Sequence, residues 1–459
     1  MRKALTTFSR VVCYSPSAAM NHSWSGRGPR ESIAIPAPTG ELPVGCIDLM
    51  HQFEGDKLGG GLLVRLFYPA QFGSAPPSYT NWTSHSKYLQ AYLHFQRTWG
   101  PGLKAASVDN PLLNPKIPAV LGADLYAAHS TPGARAVTEL HTQKYTGSTG
   151  LPVIVYCHGL GGMRCDNSAI CCDFASHGYL VAAVEHRDQS ACTSLQRVPS
   201  FSSERSRFRD EWIEFYYHPN PAKEFPLRNR QVLQRSRDAI LALELLTMLN
   251  EGVEVHNMME AHFDFRQFQG RLDLRKAAIM GHSFGGATTI QALSQDHRFQ
   301  CGIAMDCWML PIHPDLLETG VTQPLLFINS SDFQWAENVR AMFKLSHSSK
   351  NDSSQRPTTT NIITLKSSMT SHRGTSHGNQ SDIQFLSLFS ELRAQFPSSR
   401  DPYTAFRINV DLCHAFYRRH LLRDPAYQGH VANLDGGEGQ SEHILFGSNL
   451  PVFEQTSKL

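Results

Sequence analysis

Seven short apolar runs recur along the chain, and helical stretches separate them. Most of these runs are continuous rather than alternating, which is typical of strands that are covered on both faces. The clearest helical stretch is Arg235–Asn250, whose apolar residues recur at helical spacing. Strands that alternate with helices predict an α/β fold, a mainly parallel sheet with helices on both faces. The predicted strands are Leu62–Tyr68, Val153–Cys157, Tyr179–Val184, Ala277–Met280, Ile303–Met305, Leu325–Ile328 and Ile362–Leu365.

The charge and cysteine content exclude several classes of protein. The 459 residues include 42 Lys and Arg and 40 Asp and Glu, so the charges nearly balance. This balance argues against a nucleic-acid partner, since a protein that binds nucleic acid needs a basic surface. Apolar residues make up 41% of the chain, but no apolar run approaches the roughly 18 residues that cross a bilayer. The ten cysteines include no Cys-x-x-Cys pair and no compact Cys/His cluster with zinc-ligand spacing. We therefore expect free thiols, no metal and no other cofactor.

Composition divides the chain into three parts. We expect residues 1–35 to form a disordered N-terminal tail, residues 36–425 to form a single α/β domain, and residues 426–459 to form a loosely ordered C-terminal tail. Within the domain, the polar stretch 346–360 predicts a surface loop.

The sequences at the two ends of the chain predict where in the cell the protein is located. The N-terminus has basic residues but no apolar signal segment, so we expect a protein that is not secreted. The final Ser457-Lys458-Leu459 matches a peroxisomal address. We therefore expect a cytoplasmic protein, with the peroxisome as the alternative location.

The run Ile279–Ala287 contains Gly-His-Ser-Phe-Gly between a predicted strand and a helix. A nucleophilic serine needs a sharp strand-to-helix turn, and flanking glycines keep Cβ atoms out of that turn. The pattern predicts Ser283 as a nucleophile in an α/β-hydrolase fold. The backbone N–H of Phe284 would then face the oxyanion that forms on the substrate. A Gly-Ser turn without a catalytic role is the alternative.

A second glycine-rich loop, His158–Gly162, follows the predicted strand Val153–Cys157. Hydrolases of this architecture place their other oxyanion donor in such a loop, where small residues let the backbone approach the reacting carbonyl. We predict the backbone N–H of Leu160 as that donor. A glycine-rich bend with no catalytic role is the alternative.

An activated serine needs a base, and the base needs an acid that fixes its tautomer. In this architecture the chain order is serine, acid, histidine. His377 follows the predicted strand Ile362–Leu365 and is the candidate base, with His372 as the nearest competitor. The residues alone leave the acid open between Asp306, which ends one predicted strand, and Asp332, which follows the next.

Six segments of the chain resemble the platelet-activating factor acetylhydrolases, which are serine-dependent phospholipases A2 that do not need calcium. The resemblance is greater to the intracellular type than to the plasma type. It implies Ser283 as nucleophile, Asp306 as acid and His377 as base, with no metal. It also implies the backbones of Leu160 and Phe284 as oxyanion donors. The matching segments are Val44–Met50, His158–Gly161, Val184–Asp188, Gly281–Thr288, Cys301–Met309 and Gly374–Phe385.

The resemblance implies a phospholipid substrate. The expected reaction is hydrolysis of the sn-2 acetyl, short or oxidised acyl ester of platelet-activating factor and related phospholipids, through an acyl-enzyme. The alternatives are a general carboxylesterase or peptidase of the same fold, and an inactive hydrolase-like binding protein. One side of Lys87–Trp99 is apolar, which favours core packing, with peripheral membrane contact through this segment as the alternative. The residues predict neither acyl-chain preference nor oligomeric state.

Overall fold

The computed structural model describes residues 35–55, 61–74, 76–99, 114–126, 150–200, 208–218, 220, 223–259, 261–346, 360–365, 374–386, 401–428, 434, 444–446 and 448. Almost all of the predicted N-terminal tail and of the predicted loop 346–360 lies outside these residues. The division of the chain into one domain and two tails stays a prediction.

Most of the strands in the described part of the chain join one twelve-stranded sheet. Its strands are β1 (Val44–His51), β2 (Leu62–Gln71), β3 (Tyr79–Asn81), β4 (Lys116–Leu121), β5 (Asp124–Leu125), β6 (Leu151–Cys157), β7 (Leu180–Glu185), β10 (Leu272–His282), β11 (Phe299–Met305), β12 (Leu325–Asn329), β13 (Thr360–Leu365) and β14 (Ile444–Phe446). The remaining two, β8 (Thr193–Pro199) and β9 (Phe208–Glu214), pair with each other as an antiparallel hairpin.

The centre of the sheet is parallel. Its order is β14-β13-β12-β11-β10-β6-β7-β2-β1-β4-β3, and β5 pairs with β2. All neighbouring pairs from β13 to β7 are parallel, whereas β2 is antiparallel to both of its neighbours β7 and β1. Each of the seven predicted strands overlaps an observed one, and the predicted mainly parallel α/β sheet is confirmed. Within the predicted C-terminal tail, β14 pairs antiparallel with β13.

Helices cover both faces of the sheet. One face carries α1 (Ser86–Trp99), α2 (Ser168–Ser176) and α7 (Pro402–His420). The other face carries α3 (Glu224–Glu251), α4 (Phe284–Gln295), α5 (Pro314–Thr319) and α6 (Ala336–Ser346). Four short 3-10 helices complete the described elements, at Phe265–Phe268, His377–Gln380, Asp382–Phe385 and Pro425–Tyr427.

The two helical layers explain why the strand runs are apolar throughout. In β6, Val153, Val155 and Cys157 belong to the core under α3 and α4. The alternate residues Ile154 and Tyr156 belong to the core under α1, α2 and α7. Because successive side chains of a strand point to opposite faces, a strand with a core on each face must be apolar at every position.

Helix α1 packs against the protein through its apolar side. Tyr88, Leu89, Tyr92 and Phe95 are all buried in the core. This is the core packing that the sequence favours for Lys87–Trp99. Among the described residues, no helix is long and apolar enough to span a bilayer.

A buried ion-pair cluster lies next to the loop that follows β6. Both Arg65 and Arg164 form bidentate pairs with Asp48, at N···O distances of 2.9 to 3.1 Å. Arg164 also reaches Glu185 at 3.2 Å. Although burial raises the pKa of Asp48, the two guanidinium groups outweigh it and bring that pKa far below its usual range. The cluster therefore fixes the end of the loop to β1, β2 and β7.

Candidate active site

Ser283 lies at the turn between β10 and α4. Its φ is 59° and its ψ is −114°, a strained combination for a residue that has a Cβ. Its backbone is held on both sides, because its N–H donates to Met305 O at 2.8 Å and its carbonyl accepts from Trp308 N at 3.1 Å. The turn is thus a strained bend that the neighbouring strand β11 and the residues after it hold in place.

Two glycines make this turn sterically feasible. A Cβ on Gly285 would collide with the carbonyl of Cys157, and a Cβ on Gly281 would collide with the carbonyl of Gly285. The first turn of α4 can therefore pack directly against the end of β6 only because both positions lack a side chain. The structure accounts for both glycines of the Gly-x-Ser-x-Gly pattern.

The loop that carries Leu160 lies against Ser283. A Cβ placed on Gly159 would be 3.2 Å from the Cβ of Ser283. Gly161 has a φ of +69°, and a Cβ there would collide with the ring of Phe95 from α1. The predicted oxyanion loop and the predicted nucleophile are thus neighbours in space, although more than a hundred residues separate them in the chain.

His377 and Asp306 lie within hydrogen-bonding distance of each other. His377 Nδ1 is 3.1 Å from Asp306 Oδ2. The same carboxylate accepts the backbone N–H of Ser330 at 2.5 Å and the Ser330 hydroxyl at 2.7 Å. Asp306 is fully buried and has a φ of 43°, so it too lies at a strained bend, at the end of β11. A carboxylate held in this way orients the imidazole so that Nε2 points away from the acid.

Asp332, the alternative acid, meets His377 differently. Its Oδ1 accepts the backbone N–H of His377 at 2.9 Å, and the ring instead contacts Asp306. Two further rings hold the imidazole: Phe333 stacks on it with centroids 3.7 Å apart, and His282 Nε2 is 3.4 Å from its Nδ1. The competitor His372 lies outside the described residues.

Burial shifts the pKa values of these groups. It lowers the pKa of His377 below 6.5, so the imidazole is neutral near pH 7 and can accept a proton. It raises the pKa of Asp306 to about 6. For Asp332, burial and then the charge of Asp306 raise the pKa to about 7. Near neutral pH the three groups therefore favour a neutral imidazole beside an ionised Asp306.

Arg235 joins the two oxyanion segments, and the sequence reasoning missed it. Its guanidinium donates to the carbonyl of His158 and, at 3.1 Å, to Ser190 Oγ. The carbonyl of Ser190 in turn accepts the N–H of Gly161 at 2.7 Å. The Arg235 Cζ also lies 4.5 Å above the ring of Phe284, the first residue of α4. One buried cation thus contacts both segments that would donate to an oxyanion.

The family model described as platelet-activating factor acetylhydrolase, isoform II, matches residues 28–438. The chain belongs to this family. The resemblance inferred from six short segments is thereby confirmed over most of the sequence.

Two relatives are similar to the chain in sequence, and one solved structure is similar to it in fold. A platelet-activating factor acetylhydrolase from Gallus gallus is 35% identical over 461 residues, which cover 97% of this chain and 96% of that protein. One from Canis lupus familiaris is 32% identical, with 93% and 85% covered. A ferulic acid esterase from Streptomyces cinnamoneus shares the fold at a TM-score of 0.59 and 18% identity, with 90% of this chain and 98% of that chain covered. The predicted α/β-hydrolase fold is confirmed.

The structure places the predicted site residues in two contacting groups, and among the described residues no hydrogen bond joins the Ser283 hydroxyl to His377. Ser283 and the loop bearing Leu160 adjoin, Phe284 begins α4, and Asp306 bonds to His377. Their catalytic roles stay predictions, since geometry alone does not test them. Arg235 gave no sequence signal beyond a basic residue at the start of a predicted helix.

Proposed function

We propose that this protein hydrolyses the sn-2 acetyl, short or oxidised acyl ester of platelet-activating factor and related phospholipids, as a serine esterase of the phospholipase A2 type. The products are a lysophospholipid and a carboxylate. The observation that carries the proposal is the family match over residues 28–438, together with relatives that bear this name and align along nearly their whole length. The serine at a strained bend and the paired imidazole and carboxylate support it.

The proposed mechanism is acyl transfer to water. His377 takes the proton of Ser283 as the hydroxyl oxygen attacks the ester carbonyl, and Asp306 stabilises the resulting imidazolium. The N–H groups of Leu160 and Phe284 hold the oxyanion, which is worth about 3 kcal/mol per donor. The C–O bond to the lysophospholipid then breaks, and His377 protonates the departing alkoxide. A water molecule, deprotonated by His377, then attacks the acyl carbonyl, the bond from that carbon to Ser283 Oγ breaks, and His377 returns the proton to Oγ.

A substrate panel tests this proposal. We expect wild-type protein to hydrolyse phosphatidylcholines with an sn-2 acetyl group faster than those with a long sn-2 chain, and Ser283→Ala to lose activity on both. Ser294→Ala is the matched control, because it removes a half-buried hydroxyl from α4, the helix that follows Ser283, and leaves the strained turn intact. Activity on aryl esters with none on any phospholipid would favour the general carboxylesterase.

Covalent labelling separates the remaining alternative. A fluorophosphonate should modify wild type at Ser283 and leave Ser283→Ala unlabelled. If the folded wild-type protein takes no label, the inactive binding protein is the better explanation. Cleavage of a peptide panel with no ester hydrolysis would instead favour a peptidase.

Membrane contact and compartment are separate predictions. The burial of Tyr88, Leu89, Tyr92 and Phe95 keeps these side chains from a headgroup layer, so contact through Lys87–Trp99 would have to involve its other residues. Flotation of the protein with phosphatidylcholine vesicles tests such contact. Imaging of the tagged chain tests the predicted cytoplasmic location and its peroxisomal alternative.

A further inference from the structure

A second cluster of donor atoms lies outside the candidate active site, on the face of the sheet that α2 and α7 cover. Its members are Asp173 in α2, His177 at the end of α2 and His414 in α7. One donor atom from each lies within 4.8 Å of the other two. None of the three has a part in the proposed hydrolysis.

We propose that Asp173, His177 and His414 form a binding site for a transition-metal ion of the Zn²⁺ class. Two imidazole nitrogens and one carboxylate oxygen are ligands that zinc accepts, with water completing the set. Asp173 and His177 are four residues apart at the end of one helix, a spacing that places both side chains on the same face. His414 comes from a different helix, so the site would join two elements.

Two of the three donor-pair distances are close to those of a tetrahedral centre, and the third pair lies within 4.8 Å. Zn–N and Zn–O bonds of about 2.0 to 2.1 Å put neighbouring ligand atoms about 3.3 Å apart. His414 Nε2 is 2.9 Å from Asp173 Oδ1, and His177 Nε2 is 3.8 Å from the same oxygen. Side-chain adjustments of about 1 Å or less would bring these donor pairs to the required spacing. Without an ion, the His414–Asp173 hydrogen bond holds the same groups together.

The surroundings orient the carboxylate toward the two rings. Asp173 Oδ2 accepts the backbone N–H of Thr39 at 2.8 Å, and Oδ1 is the oxygen that faces both imidazoles. The Thr39 hydroxyl lies 2.8 Å from His177 Nε2, the same nitrogen that would ligate, so this hydroxyl would have to turn away when an ion binds. A partner that fixes a ligating carboxylate from behind is typical of metal sites. The ring of Phe174, with its centroid 4.6 Å from that of His414, adds an apolar wall.

Burial fits an ion that enters from solvent. The Asp173 side chain is fully buried, whereas the side chains of His177 and His414 are 23% and 15% exposed. An ion could therefore approach past the two rings and reach a carboxylate that water does not otherwise solvate. Bound there, it would connect α2, α7 and the segment around Thr39, which are far apart in the chain. We infer a structural role, in which the ion holds α7 against the rest of the domain.

Zinc titration of a His377→Ala variant tests the proposal. This background is chosen because His282, Asp306 and His377, in the candidate active site, also bring donor atoms within 4.8 Å of one another. Replacing His377 removes one donor of that active-site group and leaves the Asp173 cluster intact. We expect calorimetry with zinc chloride to show one ion bound per chain. Adding His414→Ala should weaken binding more than about 100-fold, since even the loss of an outer-shell partner costs 10- to 100-fold. Magnesium chloride should not bind.

Thermal unfolding provides a second readout that is independent of activity. Saturating zinc should raise the Tm of the His377→Ala protein by roughly 3 °C or more, and that of the His377→Ala/His414→Ala protein by less than roughly 1 °C. If His414→Ala prevents folding, His177→Ala replaces it, because that side chain lies at a helix end and is partly exposed. His262→Ala, which removes an exposed histidine elsewhere, should leave zinc binding unchanged.

Two results would overturn the proposal. One is the absence of any zinc binding by the His377→Ala protein. The other is zinc binding that is equally strong after His414→Ala or His177→Ala, which would place the ion elsewhere. Neither result bears on ester hydrolysis, so a failure of the metal-site proposal can be distinguished from a failure of the proposed function.

Discussion

Replacement of Arg235 by methionine should reduce turnover strongly while the protein still folds. Methionine retains an unbranched chain like the aliphatic part of arginine, but it lacks the guanidinium that contacts His158, Ser190 and the ring of Phe284. Both oxyanion segments thereby lose the group that they share. We expect the Leu160 and Phe284 N–H groups to move away from the position that the oxyanion needs.

The magnitude follows from what one misplaced donor costs. Removal of a single oxyanion donor lowers kcat by about 10²- to 10³-fold, or about 3 to 4 kcal/mol. We therefore expect Arg235→Met to lower kcat by about 100-fold with KM changed by less than about threefold, because the donors act on the transition state. Stability should fall by about 3 kcal/mol, since the substitution removes a buried cation that interacts with Asp188 and Asp238, although Arg228 still interacts with Asp188. Arg235→Lys, which retains the charge, should recover part of both losses.

The assay is steady-state hydrolysis of a short-chain sn-2 ester, with active sites counted by fluorophosphonate labelling. Arg418→Met is the matched control, because it breaks an ion pair with Asp424 at the C-terminal end of α7, outside both oxyanion segments, and turnover per labelled site should stay near wild type. A folded Arg235→Met protein with kcat within threefold of wild type would refute the idea that this cation positions the oxyanion donors.

Three further predictions follow from burial and close packing. Asp48→Asn should lower the free energy of unfolding by about 3 to 5 kcal/mol in urea titrations, because it leaves the buried Arg65 without a carboxylate and Arg164 with Glu185 alone, and a loss below about 1 kcal/mol would contradict this. Since burial raises the pKa of Asp306 to about 6, kcat/KM should fall about tenfold per pH unit as the carboxylate gains its proton below that pH, and a profile that stays flat to pH 4.5 would argue against the assigned acid. Gly159→Ala should lower kcat about tenfold or more, because its Cβ would press on Ser283, whereas Gly73→Ala, where a Cβ meets nothing within 4 Å, should have no effect.

Features that depend on neighbours in the chain could be predicted well from the residues. The strands were recognisable because a core on each face makes them apolar throughout, as in Val153–Cys157. The turn at Ser283 was recognisable because a strand, two glycines and a helix must follow one another within a few residues. Helix α3 begins eleven residues before the predicted start at Arg235, because Arg228 is buried although it is charged, and a hydrophobic pattern does not register it.

Features that depend on which segments meet could not be settled in this way. Asp306 and Asp332 follow neighbouring parallel strands and so reach the same edge of the sheet, which is why the spacing alone left the acid open. The apolar side of α1 could have met lipid or protein, because both bury the same residues, and the structure buries four of them in the core.

The residues by themselves thus determined the class of sheet, the nucleophile turn and the glycine-rich loop, because each depends on spacing within a few residues. Only the tertiary structure showed which carboxylate contacts His377, that Arg235 contacts both oxyanion segments, and that His414 meets Asp173 from 241 residues away in the chain. The physical reason is that hydrogen bonds and ion pairs form between side chains that are close in space, and the packing of the whole sheet and its helices sets those distances.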